Sequence, residues 1–288
     1  MEPGSTSGDA DAAGEDRRVV GGRDLPVAIG VGLALAALFL GTLFWHPAAF
    51  TVVVAALTAV AYVEANRVLR EVGHRLEVPV LVVATLVMLF GAYQARHAGQ
   101  AVGVAVLLVG GVVWLLADPG RRDVVRRLAD TTLFGLWVGF LASFAVLLVS
   151  RPTNGAIAVL AVIGAATLTD IGGYAFGVPF GRHKVAPNIS PSKSWEGLAG
   201  GLVVAVAGGA GILPLLDPSF TPATGAVLAV ACGLAAFAGD LMESMLKREL
   251  GIKDLGSVLP GHGGILDRVD GILFALPVGF YAVELLVV

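Results

Sequence analysis

Apolar residues run along this chain in blocks too long for strands and too continuous for helices with one wet face. The blocks lie at 25–44, 48–66, 78–95, 98–117, 131–150, 154–176, 197–216, 223–246 and 267–287. Each comes close to the roughly 20 residues that a helix rising about 1.5 Å per residue needs to cross a hydrocarbon core about 30 Å thick. The pattern predicts an all-α, polytopic integral membrane protein with about nine transmembrane helices. Only Arg96 and His97 separate the third and fourth blocks, so a bent hairpin or a shifted boundary is expected there. Residues 1–24 are rich in Gly, Ala, Asp and Glu and lack periodic apolar positions, which predicts a mobile tail. The apolar run from Leu25 is long enough to span and is expected to stay in the membrane, unlike a cleaved signal peptide.

Composition strengthens this picture. The chain is 56% hydrophobic and only 14% charged, and its mean hydropathy is +0.84, well outside the ordinary soluble range. A lone cysteine, Cys232, rules out an intrachain disulfide or a cysteine zinc site. The net charge of −3 matters less than where the cations fall. With nine spans, all of the 19 Lys and Arg residues except Arg96, Arg151 and Arg268 lie on one side. The positive-inside rule then makes the N-terminus cytoplasmic and places the C-terminus outside, with the plasma membrane as the expected location.

Acids inside spans cost roughly 2.5–3.5 kcal/mol on insertion scales, so each needs a partner or a purpose. Glu64, Asp170, Asp240 and Glu243 are such acids. Glu64, at the end of the second span, reads as a boundary residue paired with Arg67 at i+3. Asp170 and Asp240 lie at similar depth from the same side, and the last span opens with Asp267, Arg268 and Asp270. Asp240, Ser244 and Lys247 line one face of the eighth span. Carboxylates gathered from separate helices without enough cations attract a divalent ion with oxygen ligands, and Mg2+ is the usual one when phosphates complete its shell.

Two loops on that side carry further chemistry. The first offers Ser190, Ser192 and Ser194 as donors and Lys193 as a cation just before a helix start, a plausible phosphate clasp. A basic, Ser-rich loop is also what any solvated cytoplasmic connection looks like. In the second, Gly261, Gly263 and Gly264 surround His262, so the backbone could approach a ligand closely beside a phosphate donor or proton carrier.

The segment from Ser244 to Asp270 resembles the signature of the phosphatidate cytidylyltransferase family. Ser244, Lys247, Arg248, Lys253, Asp254, Gly256, Pro260, His262, Gly263, Gly264, Asp267, Arg268 and Asp270 carry the resemblance. Upstream, Asp170, Tyr174, Gly181, His183, Pro187, Ser190, Pro191, Lys193 and Glu196 resemble the family's second block, so the likeness covers about 155–288. Family members commonly carry two lysines after the Ser-Pro pair, whereas here Ser192 precedes Lys193, leaving Lys193 as the charge partner.

The resemblance implies synthesis of CDP-diacylglycerol and pyrophosphate from CTP and phosphatidic acid in a lipid bilayer. It also implies Mg2+ at a metal centre formed by Asp240 and Asp267, a monovalent cation such as K+, and a homodimer, with no nucleic-acid partner. Catalytic work would fall to Asp240, Asp267, Lys247, Arg248, His262 and Arg268. Substrate contacts would fall to Asp170, Tyr174, Ser190, Lys193, Ser194, Glu196, Ser244, Lys253, Asp254, Gly263, Gly264 and Asp270. The expected organisation is a cytoplasmic tail over 1–24, N-terminal helices over 25–150, and a catalytic region over 151–288 with motif loops at 177–196 and 247–266.

Three rivals stand beside this reading. A CDP-alcohol phosphotransferase is disfavoured because its Asp-Gly-x-x-Ala-Arg start is absent at Asp270. An ion-coupled transporter would place acids near mid-membrane in related halves. A structural scaffold would leave the 244–270 segment without explanation.

Overall fold

The computed structural model describes residues 25–120, 122–258 and 263–287; the predicted tail and His262 lie outside them. Every predicted apolar block among the described residues is helical. The helices are α1 (Leu25–Trp45), α2 (Pro47–Glu71), α3 (Val78–Ala95) and α4 (His97–Leu116). The fifth block comprises α5 (Val124–Phe134), a π-helical stretch over Gly135–Phe140 and α6 (Leu141–Val149). The remaining helices are α7 (Gly155–Phe180), α8 (Trp195–Leu216), α9 (Pro222–Glu249) and α10 (Leu266–Leu286). Among the described residues, eight helices are long and apolar enough to cross a membrane, and α1 adds a shorter apolar stretch, Gly32–Trp45.

Several helices outrun their apolar blocks: α2 by a turn to Glu71, α9 to Glu249, and α5 by starting at Val124. Hydropathy marks where lipid ends, whereas a helix continues as long as its polar side chains find partners. Arg127 on α5 is such a case. Its guanidinium is buried and bonds Glu77 (Nε 2.8 Å, Nη2 2.6 Å) and Asp118 (Nη1 2.8 Å), while Trp114 Nε1 donates to the other Glu77 oxygen at 2.9 Å. The Arg127 guanidinium, with the Gly120 N–H, holds the Asp118 carboxyl below the usual carboxylate range.

The loop after α7 is partly ordered as a hairpin that the sequence pattern did not predict. Strand β1 (Lys184–Ala186) pairs antiparallel with β2 (Ser190–Ser194), in register Lys184 to Ser194 and Ala186 to Ser190. Two such short strands carry too few alternating positions to stand out by periodicity. They add a small sheet to an otherwise all-α fold.

Small residues set the helix spacing. Helix α7 packs against α8, α9 and α10, and α9 packs against both α8 and α10. Helices α3 and α4 form the bent hairpin, with Arg96 alone between them at φ 50°. Their backbones meet at Gly91 and Gly99, where a Cβ on Gly99 would lie 2.0 Å from the Gly91 carbonyl. Gly99→Ala is therefore expected to force the hairpin apart and cost about 1–3 kcal/mol. Thermal unfolding in detergent should show the loss, while Gly211→Ala, where a Cβ meets nothing within 4 Å, should not lower the melting temperature.

Candidate functional site

Helix α9 brings most of the charged groups together. Its i, i+4 spacing lets Ser244 Oγ donate to Asp240 Oδ1 at 3.4 Å and Lys247 Nζ donate to Glu243 Oε2 at 2.8 Å. Lys247 also bonds Asp267 Oδ1 on α10 at 3.0 Å. From the hairpin, Lys193 Nζ forms an ion pair with Asp240 and lies 4.4 Å from the centre of the Phe237 ring. Asp170 on α7 interacts electrostatically with Lys193, Asp240 and Asp270. Thus α7, β2, α9 and α10 deliver their polar groups to one place.

The acids are not equally satisfied. Asp267 accepts the Leu255 N–H (3.2 and 3.1 Å to its two oxygens) and the Gly264 N–H (3.0 Å) besides Lys247. Glu243 Oε1, in contrast, is buried without a hydrogen-bond donor, and the Asp270 carboxyl lies against the Glu243 carboxyl. A buried carboxylate oxygen with no donor beside a second acid is an arrangement that a hard cation relieves. Among the described residues no three His, Cys, Asp or Glu side chains form a ready cage for an ion. A metal here would be held by one or two carboxylates with ligand phosphates completing its shell, the habit of Mg2+.

A polar cavity of about 460 Å3 opens beside this cluster, lined by Asp170, Tyr174, Lys184, Ser192, Lys193 and Asp240 among others. A second, apolar cavity of about 590 Å3 lies along α10, between α1, α2, α6 and α7. Arg268 is the one charged residue lining it. Arg268 and the acid pair therefore sit on different faces of the same helix, since 100° per residue carries Asp267 and Asp270 away from Val269, Ile272 and Leu276.

The other predicted residues take varied positions. Ser194 is the N-cap of α8, its Oγ accepting the Gly197 N–H at 3.1 Å. Glu196 braces the turn before β1, accepting the N–H groups of Arg182 (3.1 Å) and His183 (3.1 and 3.2 Å) and the His183 ring. Ser190 is buried at the start of β2. Tyr174 is 76% exposed at the mouth of the polar cavity. Arg248 Nε donates to the Ile189 carbonyl at 3.2 Å, tying α9 to the hairpin tip. Lys253 and Asp254 are exposed in the segment after α9, and Gly263 has φ 80°.

Glu64 departs from its expected role. Its carboxylate accepts the backbone N–H groups of Ser257, Val258 and Ile265, and no ion pair joins it to Arg67 among the described residues. The cost of an intramembrane acid flagged it, but nothing local could name a partner nearly two hundred positions away. Glu243 was flagged in the same way and stands inside the cluster.

Comparison with known proteins agrees with the geometry. A model of the cytidylyltransferase family matches residues 26–286. The phosphatidate cytidylyltransferase of Mycobacterium leprae is 37% identical over 284 residues, covering 92% of this chain and 89% of its own. That of Mycobacterium bovis is 37% identical over 268 residues, covering 88% and 86%. The match is not confined to the signature segments but runs through the N-terminal helices as well: the chain belongs to the cytidylyltransferase family.

Proposed function

We propose that this protein is a phosphatidate cytidylyltransferase, converting CTP and phosphatidic acid to CDP-diacylglycerol and pyrophosphate at the cytoplasmic face of the plasma membrane. The observation that carries the reading is the convergence of Asp170, Asp240 and Asp270 with Lys193 beside a polar cavity. An apolar cavity with an arginine at its wall lies further along α7, the helix that lines both. A nucleotide suits the first cavity, and the acyl chains of a lipid with an anionic head suit the second.

In the reaction, an oxygen of the phosphatidate phosphate attacks the α-phosphorus of CTP. The bond from that phosphorus to the bridging oxygen breaks, and pyrophosphate leaves with the electron pair. The nucleophile is already an anion, so no strong general base is required, and rate comes from positioning and charge neutralisation. Lys193, on the wall of the polar cavity, is placed to meet the triphosphate. Lys247 sits between Glu243 and Asp267, while Arg248 bonds the hairpin tip and Arg268 lines the apolar cavity. Arg268 is placed to draw the lipid phosphate toward the nucleotide. Asp240 and Asp267 would hold Mg2+, which supplies neutralisation of the phosphate oxygens when bound. The basic segments on one side of the nine-span topology support a cytoplasmic entry for CTP.

Purified protein given labelled CTP, phosphatidic acid and Mg2+ should form CDP-diacylglycerol and release pyrophosphate in equal amounts; no such product under these conditions would refute the reading. Asp240→Asn should lower kcat by about 100-fold or more with no change in melting temperature. Retained turnover would instead remove Asp240 from the metal and phosphate machinery. Val54→Trp, which projects a large ring into the apolar cavity, should raise KM for long-chain phosphatidate several-fold and leave KM for CTP unchanged. Equal effects on both substrates would rule out that cavity as the acyl-chain site.

A further inference from the structure

Glu64 is 6% exposed on α2, a helix that contributes no other group to the charged cluster. Its Oε1 accepts the N–H groups of Ser257 (2.7 Å) and Val258 (2.6 Å), and its Oε2 accepts the N–H of Ile265 (3.0 Å). One carboxylate thus holds two separate stretches of the α9–α10 connection. On the other side of those stretches, Asp267 accepts the N–H groups of Leu255 and Gly264. The backbone from 255 to 258 and at 264–265 is therefore fastened from both sides, by a site acid and by an acid 193 or more positions away.

The glycines fit this fastening closely. A Cβ on Gly256 would lie 2.4 Å from Glu64 Oε1, and a Cβ on Gly264 would lie 2.7 Å from Gly256 Cα. Both positions must lack a side chain if Glu64 is to reach the backbone behind them. Ile265 immediately precedes α10, so the Glu64 bond to its N–H sets where α10 begins relative to α2. Asp267 follows two residues later and carries Lys247 with it.

We propose that Glu64 is a positioning residue for the transfer reaction: by holding the N–H groups of Ser257, Val258 and Ile265 it places Asp267, and through Asp267 Lys247, against the acids of α9. The kinetic part of this proposal rests on the cytidylyltransferase reading; the structural part does not. All three donors are backbone N–H groups, so only a side chain with two accepting oxygens serves both stretches. Glutamine has the same shape but offers one oxygen and one NH2, and that NH2 would face an N–H donor.

The test uses full-length protein in nanodiscs, comparing Glu64→Gln, Gly256→Ala and the double variant by hydrogen exchange, thermal unfolding and kinetics. Each single variant is expected to speed amide exchange at 255–258 and 264–267 while exchange in the transmembrane helices stays as in the wild type. Each should lower kcat about 10- to 100-fold, and the double variant should be little worse than either single one, because both break the same contact. Unchanged exchange in these stretches, an undiminished kcat, or additive losses in the double variant would overturn the proposal. So would faster exchange throughout the helices with a fall in melting temperature, which marks a general stabilising role. A wild-type protein without cytidylyl transfer would sink the enzymatic reading alone, since the exchange pattern still reports on the clamp.

Discussion

Inside a bundle of apolar helices a carboxylate has no bulk water to fall back on, and the polar parts of this structure are organised by that shortage. Where an acid serves the architecture, donors surround it. Glu77 receives Arg127 and Trp114, and Glu64 receives three backbone N–H groups. Donors run short at Glu243, whose Oε1 is buried without one and whose carboxyl lies against that of Asp270.

Helix α10 carries two acids of the cluster and part of the wall of the apolar cavity. Its first turn carries Asp267 and Asp270 toward the acids of α9, while Val269, Ile272 and Leu276 line the apolar cavity. Arg268 lines the apolar cavity and is the chain neighbour of Asp267, which bonds Lys247. The β-hairpin contributes as well, with Lys193 on Asp240 and Ile189 accepting from Arg248. A loop that hydropathy treats as a mere connection thus supplies a wall of the polar cavity.

The sequence alone determined the class of solvent, the all-helical fold and the positions of the spans, because burial in lipid demands long uninterrupted apolar runs that nothing else requires. It also singled out Asp170, Asp240, Asp267 and Asp270 as one cluster, since charge within a membrane is rare enough to be conspicuous. Local spacing on α9 was legible too, as Ser244 on Asp240 follows from helical geometry. What the tertiary structure alone decided is who satisfies whom. It assigned Glu64 to the backbone of a distant segment instead of Arg67, and Arg127 to a buried network instead of a basic surface. It also set Ser194 and Glu196 to bracing α8 and its hairpin. A carboxylate accepts from any donor brought within about 3 Å, and only the folded chain determines which donors those are.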